Sequence, residues 1–419
     1  MSRAAEHARA APLLRDFALL RKDFPVLHQQ VHGKPLAYLD NAASAQCPQA
    51  VIDTVTEQQS RNHANVHRGV HQLSERSTEL YEGARRKVKR FINAGRTEEI
   101  VFTRGTTESI NLVAASLGRH LLRRGDEVLI SWLEHHSNIV PWQLVCEQHG
   151  AKLVAAPIND RGELDRDEFR RLLNARTRIV ALAHVSNALG TINPIAELVA
   201  EARRAGAVTL VDGAQAMPHL RVDVQALDCD FYAFSGHKMF APTGTGVLYG
   251  KTEWLEAMPP YQGGGEMILT VRFDRTTFNS LPHKFEAGTP NITGIIGLGA
   301  AIDYLERLDF AALADHENEL LRYATDSLMA ACPEARVIGT AARKASVLSF
   351  VLPGIHAHDL GTIVDREGVA IRTGHHCAMP VMERFDVAAT ARASFALYND
   401  KTDVDRLLEG LRRAVEIFA

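Results

Sequence analysis

Cysteine is scarce in this sequence and its spacing suggests no pairing: Cys47, Cys146, Cys229, Cys332 and Cys377 lie far apart, with no C-x-x-C among them. An odd, scattered set argues against a disulfide framework and against a zinc site, so no metal is expected. It suits a reducing compartment, where one thiol can stay free for chemistry. No window approaches the roughly 18 uncharged apolar residues that a membrane-spanning helix needs, so no membrane partner is expected. An excess of one sign of charge is also missing. Lys plus Arg number 47 against 50 for Asp plus Glu, which leaves no basic field to gather nucleic acid or anionic lipid. No G-x-G-x-x-G follows an early strand, so a nicotinamide cofactor would lack its phosphate loop. The N-terminus, MSRAAEHARAAPLLRDF, is rich in Arg and Ala as transit peptides are. Glu6, Asp16 and the missing apolar h-region argue against targeting, and a cytoplasmic protein is expected.

At 419 residues the chain exceeds the roughly 250 to 300 residues at which a single core stops growing, so two lobes are expected. Helical spacing near 48 to 61 and 73 to 93 gives way to short β-rich runs alternating with helical stretches. The runs are EEIVFT (98 to 103), DEVLIS (126 to 131), AKLVAAP (151 to 157), RIVALAHV (178 to 185), VTLVD (208 to 212), FYAFS (231 to 235) and GVLYG (246 to 250). Several are apolar on both faces, which predicts an α/β fold with a mainly parallel sheet covered by helices on each side. From about residue 295 a long helical stretch, then SVLSFVLP and a helical C-terminus, predicts a smaller α+β lobe. The expected division is an N-terminal segment, 1 to 30, packing with the small domain, a large domain over 31 to 295, and the small domain over 296 to 419.

Five local patterns bear chemistry. Ser235-Gly236-His237-Lys238 follows an apolar strand and precedes a Gly-rich turn. A lysine placed there is desolvated, which lowers its pKa and frees the amine for a Schiff base; alone, a loop lysine is ordinary surface. Asp212 ends a strand about 26 positions earlier, where ligands of parallel sheets sit and a carboxylate can pair with a pyridinium nitrogen; by itself it could equally cap a helix. Arg104-Gly105-Thr106-Thr107-Glu108 opens a helix and offers amides and two hydroxyls to a phosphate, or forms no more than a capping box. Glu134-His135-His136 follows another strand, and an imidazole there could lie flat on a ring or be a plain polar loop residue. Arg372-Thr373-Gly374-His375-His376-Cys377 places a thiol among basic neighbours on a mobile loop, where a reactive thiolate is favoured over a buried structural cysteine only if the loop is accessible.

The ordered set LDNAAS (39 to 44), ANVHRGVH (64 to 71), TRGTTESIN (103 to 111), EHHSNIVPWQ (134 to 143), HVSNALGTINP (184 to 194), VDGAQA (211 to 216), FSGHKMFAPTGTG (234 to 246), FEAGTPN (285 to 291), RTGHHCAMP (372 to 380) and RASFALYN (392 to 399) resembles the Suf-type, or group II, cysteine desulfurases. These belong to the class V aminotransferase family and have the fold type I of pyridoxal-phosphate-dependent transferases. The resemblance spans nearly the whole chain. It implies pyridoxal 5′-phosphate as cofactor, with Lys238 holding its aldehyde, Asp212 pairing with the ring nitrogen, Gln215 bonding the ring hydroxyl and His135 stacking on the ring. Asn187 would lie near cofactor and substrate. Thr106, Thr107, Ser235 and His237 match phosphate-binding positions, and Thr289 would reach the phosphate across a homodimer interface. Arg392 would grip the substrate carboxylate, with Arg372 and His67 assisting. Lys238 would remove the Cα proton of L-cysteine, and Cys377 would take the sulfur as a persulfide and pass it to an acceptor protein of the SufE or SufU type for iron-sulfur cluster assembly.

The same resemblance allows L-selenocysteine as a substrate. A selenocysteine lyase, a kynureninase or an aminotransferase of the same fold is the alternative enzyme, and a non-catalytic scaffold the alternative of another class. Cys377 discriminates among the enzymes, because transamination and kynurenine cleavage have no use for a thiol there.

Overall fold

The computed structural model describes residues 13–418. Residues 1–12 of the expected N-terminal segment, and the targeting question resting on them, lie outside the described residues.

All seven apolar runs form strands of one sheet: β1 (Ile100–Thr103), β2 (Glu127–Ser131), β3 (Lys152–Ala156), β4 (Thr177–Ala183), β5 (Val208–Asp212), β6 (Phe231–Ser235) and β7 (Gly246–Gly250). Their order is β1-β7-β6-β5-β4-β2-β3. Only β7 runs antiparallel to its neighbours, so the other six share one direction and their C-terminal ends meet at one edge. The apolar run of β7 would look the same in either direction, so its reversal has no mark in the sequence.

Alternation along each strand feeds two cores. In β6, Tyr232 and Phe234 join a core with the helices Gln72–Phe91, Ile195–Arg204 and Ile292–Glu306. Phe231 and Ala233 point the other way, toward the helices Thr106–Leu121 and Val140–His149. Covered on both faces, β5, β6 and β7 are buried at every residue, whereas the edge strand β3 is largely open.

The second lobe is an antiparallel sheet of β8 (Arg336–Ile338), β9 (Val347–Val351), β10 (Arg372–Gly374) and β11 (Thr390–Ser394), in the order β8-β9-β11-β10. The helices Phe310–Ala331, Ala357–Arg366 and Lys401–Phe418 pack in its core. The single helical stretch expected after residue 295 is two helices. Asp309 interrupts it by accepting the amides of Ala311 and Ala312 as an N-cap.

Residues 14–41 tie the lobes together. Arg21 donates to the Asp403 carboxylate at 2.8 Å and to the Tyr398 carbonyl. Ala37–Tyr38 pairs in parallel with Val369–Ala370, and Ser394 donates its amide to the Leu39 carbonyl. Phe24 is fully buried between the rings of Phe240, Tyr304 and Tyr398. A Phe24→Ala variant leaves a cavity at this junction and should lose about 3 to 5 kcal/mol of unfolding free energy. Denaturant unfolding reads it, and a loss below about 1 kcal/mol would show that the junction does not support the fold.

Candidate active site

The converging strand ends build the site. Helix Thr106–Leu121 follows β1 and begins at Gly105, whose φ of 155° is open to glycine but not to residues with a side chain. Its N-cap, Gly105, has no side chain to offer, so the amides after that of Thr106 are left for an anion cradle. Ser235, the last residue of β6, accepts the Thr106 amide at 2.8 Å and lies 2.8 Å from the Thr106 hydroxyl. A Cβ on Gly246 would come within 2.3 Å of the Gly105 Cα, so this approach requires glycine at 246. Asp212 ends β5 and accepts the Ala214 amide with Oδ1 at 2.9 Å. Desolvation, the largest influence, raises its pKa; the Ala214 bond and the charge of Lys238 oppose the rise.

Lys238 lies one turn past β6, walled by protein. Desolvation pulls its amine down to about 8; Asp212 opposes this, while Arg392 and Arg372 add to it. Burial takes His135 down to about 3, helped by the charge of Lys238, and His237 down to about 4. Both imidazoles are neutral at ordinary pH. His135 Nδ1 accepts the Ser137 amide, which fixes its ring at the mouth of β2. Beneath it the fully buried Glu134 accepts from Ser131 and Asn138, and desolvation raises its pKa to about 7.

The small lobe supplies the opposite wall. Arg392, on β11, is almost fully buried: Nη1 donates to the Asn187 carbonyl at 2.8 Å and Nη2 to Asp40 at 3.1 Å. Asn187 Nδ2 donates to the His376 carbonyl at 2.6 Å, joining the loop after β4 to the cysteine loop. Cys377 and His376 both have left-handed φ, 55° and 51°. The turn is held by the His136 amide donating to the Cys377 carbonyl at 2.7 Å and by the Cys377 amide donating to His375 Nδ1 at 3.1 Å. Arg372 Nη2 is 4.0 Å from Cys377 Sγ. Among the other thiols, burial pushes Cys146 up to about 11 and Cys229 up to about 12, and it also raises Cys47 and Cys332.

One pocket of about 190 Å³ brings together every expected site residue except His67 and Thr289. Those two line a neighbouring pocket on the same chain, with Arg68 and Glu266. Sequence reasoning gave no role to Asp40, which orients Arg392, to Glu134, or to His376; all three lie inside motifs it quoted. The residues fit pyridoxal phosphate. Asp212 offers a carboxylate that no ion pair occupies among the described residues, Lys238 an amine, and the uncapped helix with Thr106, Thr107, Ser235 and His237 an anion cradle.

Residues 37–407 match the family model described as Aminotransferase class-V. A protein named cysteine desulfurase from Enterobacter sp. (strain 638) is 54% identical over 395 residues, covering 94% of this chain and 97% of the relative. Another of that name, from Synechococcus elongatus, is 50% identical over 398 residues; the match covers 95% of this chain but 63% of the relative. The crystal structure of the cysteine desulfurase CsdA from Escherichia coli superposes with a TM-score of 0.90 at 44% identity, covering 97% of this chain and all of that one.

His376 generates a pH prediction. Burial and the charges of Arg392 and Arg372 hold it down to about 3, against about 6.5 in an unfolded chain. Between those values the unfolded state binds the extra proton, so stability falls as pH drops below about 6.5, by up to about 1.4 kcal/mol per unit from this residue. Urea unfolding at pH 7.5 and 5.5 should show a smaller loss for His376→Gln than for wild type; equal losses would contradict the assignment.

Proposed function

The chain belongs to the class-V aminotransferase family, and on that footing we propose that it is a cysteine desulfurase of the Suf type: it converts L-cysteine to L-alanine and holds the sulfur on Cys377. The observation that carries this reading is the presence of a thiol, Cys377, in the same pocket as a desolvated lysine, Lys238.

Pyridoxal phosphate, when bound, supplies an aldehyde for amines and a ring that draws electron density from Cα. Lys238 would hold it by the aldehyde and Asp212 by the ring nitrogen, His135 would stack on the ring, and Gln215, Thr106, Thr107, Ser235 and His237 would orient it. Gln215 is itself fixed by donating to the Ala42 carbonyl at 2.6 Å. Arg392 presents a guanidinium to the substrate carboxylate, in a position set by Asp40 and Asn187. A neutral fraction of Lys238, available because its pKa is near 8, takes the Cα proton and returns it. Cys377, as thiolate, attacks the substrate sulfur. The new S–S bond forms as the Cβ–S bond breaks, its electron pair stays with carbon, and carbon takes up a proton. Arg372 Nη2 stands 4.0 Å from the thiol sulfur. Alanine leaves and the persulfide on Cys377 passes to a SufE- or SufU-type acceptor for iron-sulfur cluster assembly. L-Selenocysteine would enter by the same contacts.

His67 and Thr289 complete the site of a second copy rather than their own. They lie outside the pocket of their own chain, and a second pocket containing Tyr261 and Gly244 connects the Thr289 region with the outer side of the Thr106 cradle. The working unit is then a homodimer, in the cytoplasm. No helix among the described residues is long and apolar enough to cross a membrane.

Wild-type enzyme given L-cysteine and a thiol reductant should release alanine and sulfide. Lys238→Ala should lose at least about a thousandfold of this, of the order that positioned proton transfer and covalent binding supply, and Cys377→Ala should release no sulfur. Sulfide release by Cys377→Ala at the wild-type rate would sink the persulfide step. For the shared site, Lys238→Ala and Thr289→Val chains mixed and reassembled should regain activity that neither has alone. No recovery, with mixed dimers verified by mass, would return Thr289 to its own chain's site.

A further inference from the structure

Outside the Lys238 pocket, three side chains from distant parts of the chain converge, and the desulfurase reading gives a role to His67 alone and none to Glu266 or His283. His67 follows the helix Gln49–Arg61, Glu266 lies in the Gly-rich loop after residue 262, and His283 precedes FEAGTPN. One ligand atom from each lies within 4.8 Å of the other two. We propose that His67, Glu266 and His283 form a binding site for a divalent cation of borderline softness, namely zinc.

The surroundings of His67 support this. Its Nε2 is 3.0 Å from Glu82 Oε1, so the proton sits there and Nδ1 presents a lone pair. A ligating imidazole whose other nitrogen donates to a carboxylate is the usual outer-shell arrangement of protein zinc sites. That Nδ1 is buried, has no hydrogen-bond partner among the described residues, and faces Glu266 Oε1 at 3.5 Å, too far for a hydrogen bond of normal length. Glu266 is oriented as well: Arg68 Nε donates to its Oε2 at 2.8 Å, leaving Oε1 toward the imidazole. His283 stands edge-on to His67 with centroids 5.1 Å apart, and its Nδ1 is likewise buried without a partner.

Two imidazoles and one carboxylate are a zinc donor set that leaves a fourth position open. His67 and Glu266 line a pocket of about 110 Å³ that could admit a water there. The local charge tolerates a dication. Glu82, Glu266 and Glu286 outnumber Arg68 and Arg85, and Arg85 is already neutralised by the carboxylates of Glu82 and Glu286. The sequence reading expected no metal, on the spacing of the cysteines, and no cysteine takes part in this cluster.

The test uses cofactor-loaded enzyme carrying Cys377→Ser, so that the pocket thiol cannot bind metal, stripped with a chelator and dialysed against Zn²⁺ alone. The expected result is one zinc per chain. His283→Ala and Glu266→Gln should each weaken binding at least about tenfold, and Glu82→Gln, which leaves all three ligands in place, should weaken it by about tenfold through the lost outer-shell bond. Cofactor absorbance and circular dichroism establish folding, and if His283→Ala fails that check, Glu266→Gln decides. Absence of stoichiometric zinc in the parent, or an affinity unchanged by Glu266→Gln, overturns the proposal.

Discussion

Desolvation of the Lys238 amine is the constraint around which the rest of the site is arranged. A lysine in water is protonated and inert; one walled by protein beside two guanidiniums is brought to about 8, where a usable fraction is neutral. That position exists because six strands run the same way and end together, so the loops after β1, β2, β4, β5 and β6 open into one cavity. The helices on both faces keep water from the sheet below. Asp212 limits how far the amine is shifted, and Arg392, whose charge lowers it further, is itself held by Asp40.

The large sheet was legible because its strands are buried on both faces. Double burial makes a strand apolar at successive positions, which is why VTLVD and FYAFS could be located to the residue. The reversal of β7 and the break at Asp309 were not legible: burial of a strand carries no direction, and an N-cap aspartate resembles any polar residue in a helix until its bonds are seen. In the site, motifs pointed to the residues but not to their partners. Arg392 could be named from RASFALYN, whereas its tie to Asp40 spans 352 positions and depends on the Leu39–Ser394 pairing between lobes. His67 and Thr289 show the limit most clearly. The resemblance implied that Thr289 reaches the phosphate from a second chain, and within one chain both residues line a pocket apart from Lys238.

The cysteine loop binds the two lobes into one reaction centre. Two consecutive residues in left-handed conformation, neither of them glycine, require compensation of about 1 to 2 kcal/mol each. The Asn187, His136 and His375 bonds supply it from both lobes. The turn turns Cys377 into the pocket, while burial holds four other thiols protonated.

The claim on which the account stands is that sulfur leaving the substrate comes to rest on Cys377. Peptide mass spectrometry of enzyme exposed to sulfur-labelled L-cysteine, quenched with an alkylating agent before any reductant is added, reads this directly. The account predicts one labelled sulfur on the peptide containing Cys377 and none on those containing Cys47, Cys146, Cys229 or Cys332. Label on another cysteine, or alanine formed while Cys377 stays unmodified, would contradict it.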